Sequence, residues 1–284
     1  MARFLTRRNF LRTAALGTLS AGGAAAYTHW GEPHWLKLQH YAIPTLQRDR
    51  ARVRFLHLSD FHASRDVSLE FIAEAIALGL AEKPDVIAVT GDFFTNRFHH
   101  PVADYVDVLR PLAAAAPTFA CLGNHDGGPW TSRGGGYSTV AEVRSLLKAS
   151  GIRCLLNEAV ELTVRDRPLQ IFGTGDLWSG MCFPLLAFRN FPARGNATRV
   201  LLNHNPDAKD ALRPFDWDLV LCGHTHGGQI RLPFVGTPFA PVRDQRYVEG
   251  LHTWEGRSLF VTRGVGNLHG IRFNCRPEVS VLDI

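Results

Sequence analysis

Five short polar segments of the sequence carry side chains of the kinds that bind metal ions. They are Ser59–His62, Gly91–Asp92, Gly123–Asp126, Asn203–Pro206 and Gly223–Gly228. Each follows directly on an apolar run that is typical of a buried strand. Because open α/β sheets place their ligand sites outside the carboxyl ends of the strands, we expect the five segments to meet in one place.

The candidate ligands in these segments offer oxygen and imidazole nitrogen and no thiolate. They are Asp60, His62, Asp92, Asn124, His204, His224 and His226. These seven groups exceed what a single ion takes from a protein, whereas two ions about 3.5–4 Å apart that share one carboxylate would use them all. The donor set suits manganese, iron, zinc or nickel better than calcium. The sequence therefore predicts two divalent metal ions whose identity stays open.

The spacing within two of the segments brings pairs of donors to one side. Asp60 and His62 are two residues apart, as are His224 and His226. In an extended or turning segment, residues i and i+2 project to the same side, so each pair can face one cavity. A glycine stands immediately before the donor-bearing residues at Gly91, Gly123 and Gly223. The missing Cβ permits a sharp turn and a close backbone approach.

The elements that must position these segments follow from hydrophobic periodicity. In the first half of the chain, the predicted strands are 53–58, 85–90 and 118–122, and the predicted helices are 68–83, 102–115 and 137–149. The second half is richer in strands, at 152–156, 159–164, 169–173, 200–203, 219–222, 258–262 and 279–282, with helix near 206–212. Two sheets packed face to face with helices outside fit this order, so the predicted fold class is α/β.

The first 26 residues have the layout of an export signal. They contain no acidic residue and four arginines, at positions 3, 7, 8 and 12, before an uncharged run over residues 13–26. The adjacent Arg7 and Arg8, followed by Phe10 and Leu11, match the address read by the twin-arginine export machinery. The uncharged run of 14 residues is shorter than the roughly 20 that a membrane-spanning helix needs. Small residues near Ala26 offer a cleavage site, and whether the signal is cleaved stays open.

The predicted organisation has three parts. They are a twin-arginine signal segment (1–26), a linker (27–51) and one domain (52–284). The linker carries Trp30, Trp35 and Tyr41, which either pack on the body or touch a membrane. We expect the protein in the periplasm or attached to the outer face of the inner membrane.

The overall charge is misleading about partners. The chain has 31 basic and 26 acidic residues, a formal charge of +5. Removing the four signal arginines leaves 27 basic against 26 acidic side chains, a charge of +1. A nearly neutral body is not expected to hold nucleic acid by bulk electrostatics. The five cysteines include no Cys-x-x-Cys pair, so neither a zinc ribbon nor a disulfide scaffold is indicated.

The five segments, taken in order, resemble the calcineurin-like metallophosphoesterase superfamily. The motifs are Asp-x-His, Gly-Asp, Gly-Asn-His-Asp, a later His and Gly-His-Thr-His, and the resemblance covers about residues 50–284. It implies a four-layer α/β/β/α sandwich with a dinuclear metal site. The implied ligands are Asp60, His62 and His226 for one ion, Asn124, His204 and His224 for the other, and Asp92 as the bridge.

The resemblance also implies a catalytic residue and a reaction. His125 matches the histidine that contacts the scissile phosphate and assists the leaving oxygen. The implied activity is a metal-dependent phosphodiesterase, in which a hydroxide that bridges the ions attacks a phosphate ester. Asp126 fits the motif, and a turn or capping role is expected for it.

Two alternative functions stay open at this point. One is a UDP-2,3-diacylglucosamine-type pyrophosphatase in lipid A biosynthesis, which export disfavours because that substrate is made in the cytoplasm. The other is a non-catalytic module that binds metal or nucleic acid, which the intact His125 disfavours.

The expected substrate is a phosphodiester or a lipid phosphate. Four arginines near predicted strand ends could either contact a phosphate or solvate the surface: Arg65, Arg97, Arg133 and Arg263. The apolar run 232–242 is either an ordinary packed loop or a contact with the membrane surface.

Overall fold

Two six-stranded sheets lie face to face in the computed structural model, which describes residues 7–43, 52–95, 101–191 and 195–284. The strands of the first sheet are β1 (Lys37–Ala42), β2 (Arg54–Leu58), β3 (Val86–Thr90), β4 (Thr118–Cys121), β5 (Arg153–Cys154) and β12 (Glu278–Asp283). Their order is β1-β12-β2-β3-β4-β5, and β2 to β5 run parallel.

The second sheet comes from the strand-rich half of the chain. Its strands are β6 (Glu158–Val164), β7 (Arg167–Gly173), β8 (Thr198–Leu202), β9 (Leu219–Cys222), β10 (Gly250–Trp254) and β11 (Arg257–Val261). Their order is β10-β11-β9-β8-β7-β6, with β7, β8, β9 and β11 parallel.

The α-helices of the described residues are α1 (Arg7–Ala26), α2 (Leu69–Leu80), α3 (Val102–Ala115), α4 (Thr131–Gly134), α5 (Ala141–Ala149), α6 (Pro184–Phe188) and α7 (Lys209–Leu212). Helices α2, α3 and α5 pack on the outer face of the first sheet, and α6 and α7 pack on the outer face of the second. Helix α3 has its predicted bounds, whereas α2 begins one residue later and ends three residues earlier than the predicted 68–83. Helix α2 starts after Ser68, whose side chain accepts a hydrogen bond from the Phe71 N–H, and it ends before Pro84.

Alternating side chains of the strands fill three apolar layers. In β2, Phe55 points into the core between the sheets, whereas Leu56 points into the core beneath α2, α3 and α5. In β7, Ile171 faces the core between the sheets, and Phe172 packs outward against α6 and its neighbours. The predicted four-layer α/β/β/α sandwich is confirmed, because each sheet buries both of its faces.

The predicted linker 27–51 differs from the structure over its described part. Residues 37–42 form β1, which pairs in parallel with β12 at the edge of the first sheet. The buried Glu32 accepts hydrogen bonds from the backbone N–H groups of Asn274 (2.7 Å) and Cys275. The sequence of β1, Lys-Leu-Gln-His-Tyr-Ala, lacks the apolar run of a central strand because an edge strand is half exposed. The folded body therefore begins before residue 52.

Some of the sequence predictions fall outside the described residues, namely the first six residues of the signal, residues 44–51 of the linker, and Arg97. No helix within the described ranges is both long and apolar enough to cross a membrane.

Replacing Glu32 with glutamine tests whether the segment before β1 belongs to the folded body. The neutral side chain has one acceptor oxygen for two buried N–H groups, so we expect the free energy of unfolding to fall by about 2 kcal/mol. Urea unfolding of the full chain measures it. Glu158→Gln, at an exposed position of β6, is the matched control and should change stability by less than about 0.5 kcal/mol. Equal stability of the two variants would contradict the prediction.

Candidate metal centre

The five polar segments converge where the parallel strands of both sheets end. Segments after β2, β3 and β4 come from the first sheet, and segments after β8 and β9 come from the second. Contacts between the loops join the two sheets at this edge. The backbone N–H of His224 donates to both carboxylate oxygens of Asp60 (3.0 and 3.1 Å), and His204 Nδ1 lies 2.6 Å from the Thr90 carbonyl oxygen.

The backbone at this edge is held in a conformation that most residues avoid. Five of the seven predicted ligands have a positive φ, between 46° and 72°: Asp60, His62, Asp92, His224 and His226. Left-handed backbone is uncommon for residues other than glycine and concentrates at functional sites. It turns each side chain out of the strand direction and toward the space between the two sheets' edges.

Two glycines allow the loops to approach each other closely. A Cβ added to Gly123 would lie 2.1 Å from Asp92 Oδ1, and one added to Gly223 would lie 2.2 Å from Asp60 Oδ2. Any side chain at either position would displace a carboxylate of the site.

The first donor cluster consists of Asp60, His62 and His226. The Nε2 atoms of the two imidazoles are 3.1 Å apart. Asp60 Oδ1 lies 3.4 Å from Nε2 of His226 and 3.9 Å from Nε2 of His62. All three side chains are buried, and their donor atoms can surround one ion.

The second donor cluster consists of Asp60, Asp92 and His204. His204 Nε2 lies 3.1 Å from Asp92 Oδ2 and 3.9 Å from Asp60 Oδ1. Asp92 Oδ2 is also 3.4 Å from His62 Nε2, so this carboxylate lies between His204 and the first cluster. That position is the one a bridging carboxylate requires.

Asn124 and His224 lie beside the second cluster and contact each other. His224 Nδ1 is 2.8 Å from Asn124 Oδ1, and the rings of His224 and His204 have centroids 5.1 Å apart. His224 does not belong to the tight groups that the described carboxylates and histidines form, and Asn124 is positioned by its contact with His224. The structure thus brings five predicted ligands into the clusters and places these two at their border.

His125 is fixed at the same edge through both its backbone and its ring. Its backbone N–H donates to Asp92 Oδ1 (2.9 Å), and its Nδ1 donates to the Gly135 carbonyl oxygen (2.5 Å). Its ring lies edge-on to His62 with centroids 5.0 Å apart. Because Nδ1 is engaged, Nε2 is the atom left for chemistry.

Burial and mutual charge control the protonation of the site. Burial lowers the pKa of His62 to about 3 and holds that of His226 well below its usual range, so both imidazoles are neutral. Burial raises the pKa of Asp60 to about 6, although His204 opposes it. Against the effect of burial, Asp92 and Asp60 raise the pKa of His204 well above its usual range. The carboxylates of Asp60 and Asp92 therefore favour a positive charge beside them, at the position of His204.

The unpaired atoms of the site fit a metal cation. Four buried imidazole nitrogens of the candidate ligands have no hydrogen-bond partner among the described residues: His62 Nδ1, His204 Nε2, His224 Nε2 and His226 Nδ1. His204 Nδ1 donates its proton to the Thr90 carbonyl oxygen, so Nε2 faces the Asp92 carboxylate. Nε2 at this position needs either a proton or a metal cation between it and the carboxylate, and a metal ion can replace that proton.

A family comparison decides what kind of site this is. The family described as calcineurin-like phosphoesterase matches residues 53–228. The chain belongs to the calcineurin-like phosphoesterase family. Together with the histidine and aspartate clusters, this membership identifies the candidate metal centre as a divalent metal site.

Three relatives of known sequence cover most of this chain. Phosphodiesterase YaeI of Escherichia coli is 43% identical over 280 residues, which span 99% of both chains. The uncharacterized metallophosphoesterase YkuE of Bacillus subtilis is 31% identical over 297 residues, covering 99% of this chain and 98% of the relative. UDP-2,3-diacylglucosamine pyrophosphatase LpxG of Chlamydia muridarum is 26% identical over 300 residues, covering 88% and 90%.

Asp126 joins two of the loops that carry the candidate ligands. Its buried carboxylate accepts hydrogen bonds from the backbone N–H groups of Asp92 (2.7 Å), Phe93 (2.8 Å) and Gly123 (2.8 Å). These bonds tie the loop after β3 to the loop after β4. The turn role expected for Asp126 describes only part of this function.

Arg272 is a buried residue that the sequence analysis missed. Its guanidinium donates to the carbonyl oxygens of Arg263 (2.8 Å), Gly264 (3.2 Å), Gly266 and Cys275 (3.0 Å). The loop that it holds also bonds to Asp60, whose carbonyl oxygen accepts from the Gly266 N–H at 2.7 Å. No local signal marks Arg272, because its partners are backbone carbonyls brought together by the fold.

Three of the four arginines considered for phosphate contact lie among the described residues. Arg65 and Arg133 are exposed. Arg263 forms ion pairs with Glu249 (3.1 Å) and Glu278 (2.9 Å).

Gly123→Ala tests the close packing of Gly123 against Asp92 in the candidate metal centre. The new Cβ would collide with Asp92 Oδ1, so we expect the metal content of the purified protein to fall by at least half and stability to drop by about 1–3 kcal/mol. Elemental analysis and thermal unfolding with and without chelator measure both. In Gly195→Ala the new Cβ meets no atom within 4 Å, so this variant should match the wild type. Full metal content in Gly123→Ala would show that the loops are looser than described.

Proposed function

We propose that the protein is a phosphodiesterase with a dinuclear metal centre. The observation that carries the proposal is the position of Asp92, whose carboxylate lies within 3.1–3.4 Å of histidines on both sides. Its similarity to phosphodiesterase YaeI over 99% of both chains supports the choice of a diester as substrate.

We divide the proposed ligands between the ions as the family resemblance implies. They are Asp60, His62 and His226 for one ion, His204, Asn124 and His224 for the other, and Asp92 between them. The first set coincides with an observed cluster, and the contact between His224 and Asn124 supports the second. When bound, the ions supply positive charge for the phosphate and activate water. Manganese, iron, zinc and nickel all suit this donor set.

The protein holds its donors in place before any ligand arrives. Backbone N–H groups of His224 and His125 bond to the carboxylates of Asp60 and Asp92, which fixes the carboxylate planes. The Thr90 carbonyl fixes the tautomer of His204 in the same way. Hydrogen bonds of this kind orient the donor side chains and lower the reorganisation that metal binding requires.

His125 is proposed as the general acid. Its Nδ1–H bond to Gly135 leaves Nε2 available, and the bond from its backbone N–H to Asp92 holds the residue at the clusters. A ring nitrogen of His125 lies within 4.8 Å of donor atoms of His62 and Asp92. A proton on Nε2 passes to the departing alkoxide as the phosphorus–oxygen bond breaks.

The pyrophosphatase reading is the alternative that the same site permits. A pyrophosphate linkage would bind through its negative charge to the same two ions. The metal centre alone therefore does not distinguish the two substrates. The lower identity to LpxG, 26% against 43% for YaeI, favours the diester.

Turnover of metal-loaded protein tests the proposed function. We expect hydrolysis of bis(p-nitrophenyl) phosphate, and we expect Asp92→Asn and His204→Ala to lose it together with bound metal. His125→Ala should keep its metal and lose roughly 10²- to 10⁴-fold in kcat on an alkyl diester. Its loss on the p-nitrophenyl diester should be smaller, because p-nitrophenolate departs without a proton.

His40→Ala, on the exposed edge strand β1, is the matched histidine control and should retain wild-type turnover. Undiminished hydrolysis in Asp92→Asn and His204→Ala would refute the proposal. Hydrolysis of a lipid pyrophosphate at a much higher kcat/KM than any diester would replace it with the alternative.

We also propose that the chain is exported by the twin-arginine route and works on the outer side of the inner membrane. The paired arginines and the uncharged run after them support this location. An apolar rim supports contact with a lipid surface: Phe234 is fully exposed, and Val235 and Phe239 are 66% and 68% exposed. Thr237, in the same run, packs on Gly228 beside the candidate ligand His226.

Exchange of Arg7 and Arg8 for lysine tests the route of export. We expect the wild-type chain to be digested by protease added to spheroplasts, and we expect the double variant to be protected, because the export machinery reads the arginine pair. Arg12→Lys, outside the pair, should behave as the wild type. A protected wild-type chain would place the protein on the cytoplasmic side and would favour the pyrophosphatase alternative.

A further inference from the structure

Two tryptophans form one wall of the candidate metal centre. The indole of Trp178 lies edge-on to the ring of His224, with centroids 4.3 Å apart and planes at 89°. Trp130 packs on Trp178 with centroids 4.6 Å apart. The pair therefore stands directly beside a candidate ligand.

The loops that carry the two indoles are fastened to each other. Asp176, fully buried, accepts a hydrogen bond from the Ser179 N–H (2.8 Å) and so shapes the turn around Trp178. Ser179 Oγ donates to the Gly127 carbonyl oxygen (2.8 Å), on the loop that leads to Trp130. The wall is thus rigid and continuous with the segment that holds Asn124 and His125.

The indoles are not ordinary core residues. Both are partly exposed, and neither belongs to the apolar clusters that fill the sandwich. The exposed parts of the two rings form an aromatic surface beside His224, next to the place where a phosphate is proposed to bind.

We propose that the Trp130–Trp178 pair is a subsite for a planar aromatic or heterocyclic group attached to the substrate phosphate. This inference rests on the proposed function. Flat rings stack on indole faces with little dependence on sequence or substituent, whereas an aliphatic chain has no π face to stack. The structure thereby favours diesters with an aryl or nucleobase group over purely aliphatic ones.

Calorimetric titration of the metal-loaded full chain tests the subsite without relying on turnover. The probes are adenosine 5′-monophosphate and ribose 5-phosphate, which share the sugar phosphate and differ by the base. We expect the nucleotide to bind about 10-fold more tightly, a difference of about 1.4 kcal/mol. In Trp130→Leu the two dissociation constants should become equal within about 2-fold, and Trp130→Phe should retain most of the preference.

The controls separate stacking from damage to the centre. Ribose 5-phosphate affinity and metal content should stay unchanged in Trp130→Leu, since the indole of Trp130 packs on Trp178, and it is Trp178 that packs on the candidate ligand His224. Trp35→Leu, at a 54% exposed indole that packs on Arg276, should leave both affinities unchanged. Equal wild-type affinity for the two probes, or equal weakening of both in Trp130→Leu, would overturn the inference. Failure of the proposed function is a separate result, namely absence of diester hydrolysis whatever the probes' affinities.

Discussion

The structure depends on the burial of two carboxylates, Asp60 and Asp92, within reach of the same imidazoles. Asp60 is fully buried and Asp92 is 2% exposed, and both lie within 4 Å of His204. Taking such charges out of water is strongly unfavourable unless cations and hydrogen bonds replace the water. The backbone N–H groups that point at these carboxylates supply the hydrogen bonds, and a divalent metal supplies the charge. The left-handed backbone and the close glycines are what this arrangement requires from the chain.

Neither sheet contains the site on its own. The core between the sheets, in which Phe55 and Ile171 take part, fixes their separation and so the distance between the loops after β2 and those after β9. Buried polar groups then lock the loops: Asp126 joins two loops of the first sheet, and Arg272 fastens the segment that holds Asp60. A change far from the clusters that shifts one sheet against the other would therefore disturb the donors. This coupling explains why a metal centre of this kind needs the whole sandwich.

The centre and its surroundings have separate tasks. The clustered donors provide chemistry that any phosphate ester can use, and membership in the calcineurin-like phosphoesterase family accounts for them. The proposed selectivity lies in the surroundings, which would contact the organic part of a substrate. They include the indole pair, whose loops Ser179 joins, and the exposed side chain of Phe234.

The sequence by itself determined the fold class, the polar segments and the positions of most strands along the chain, because strand periodicity and ligand types are local properties. Helix α3 and strand β9 begin and end where the apolar pattern predicts. The edge strand β1 was missed because its half-exposed residues carry no apolar run. Only the tertiary structure decided that Asn124 and His224 border the clusters, that Arg272 is buried on carbonyls, and that Trp130 meets Trp178. These contacts join residues far apart in the chain, and the packing of two sheets, which no local pattern encodes, sets their distances.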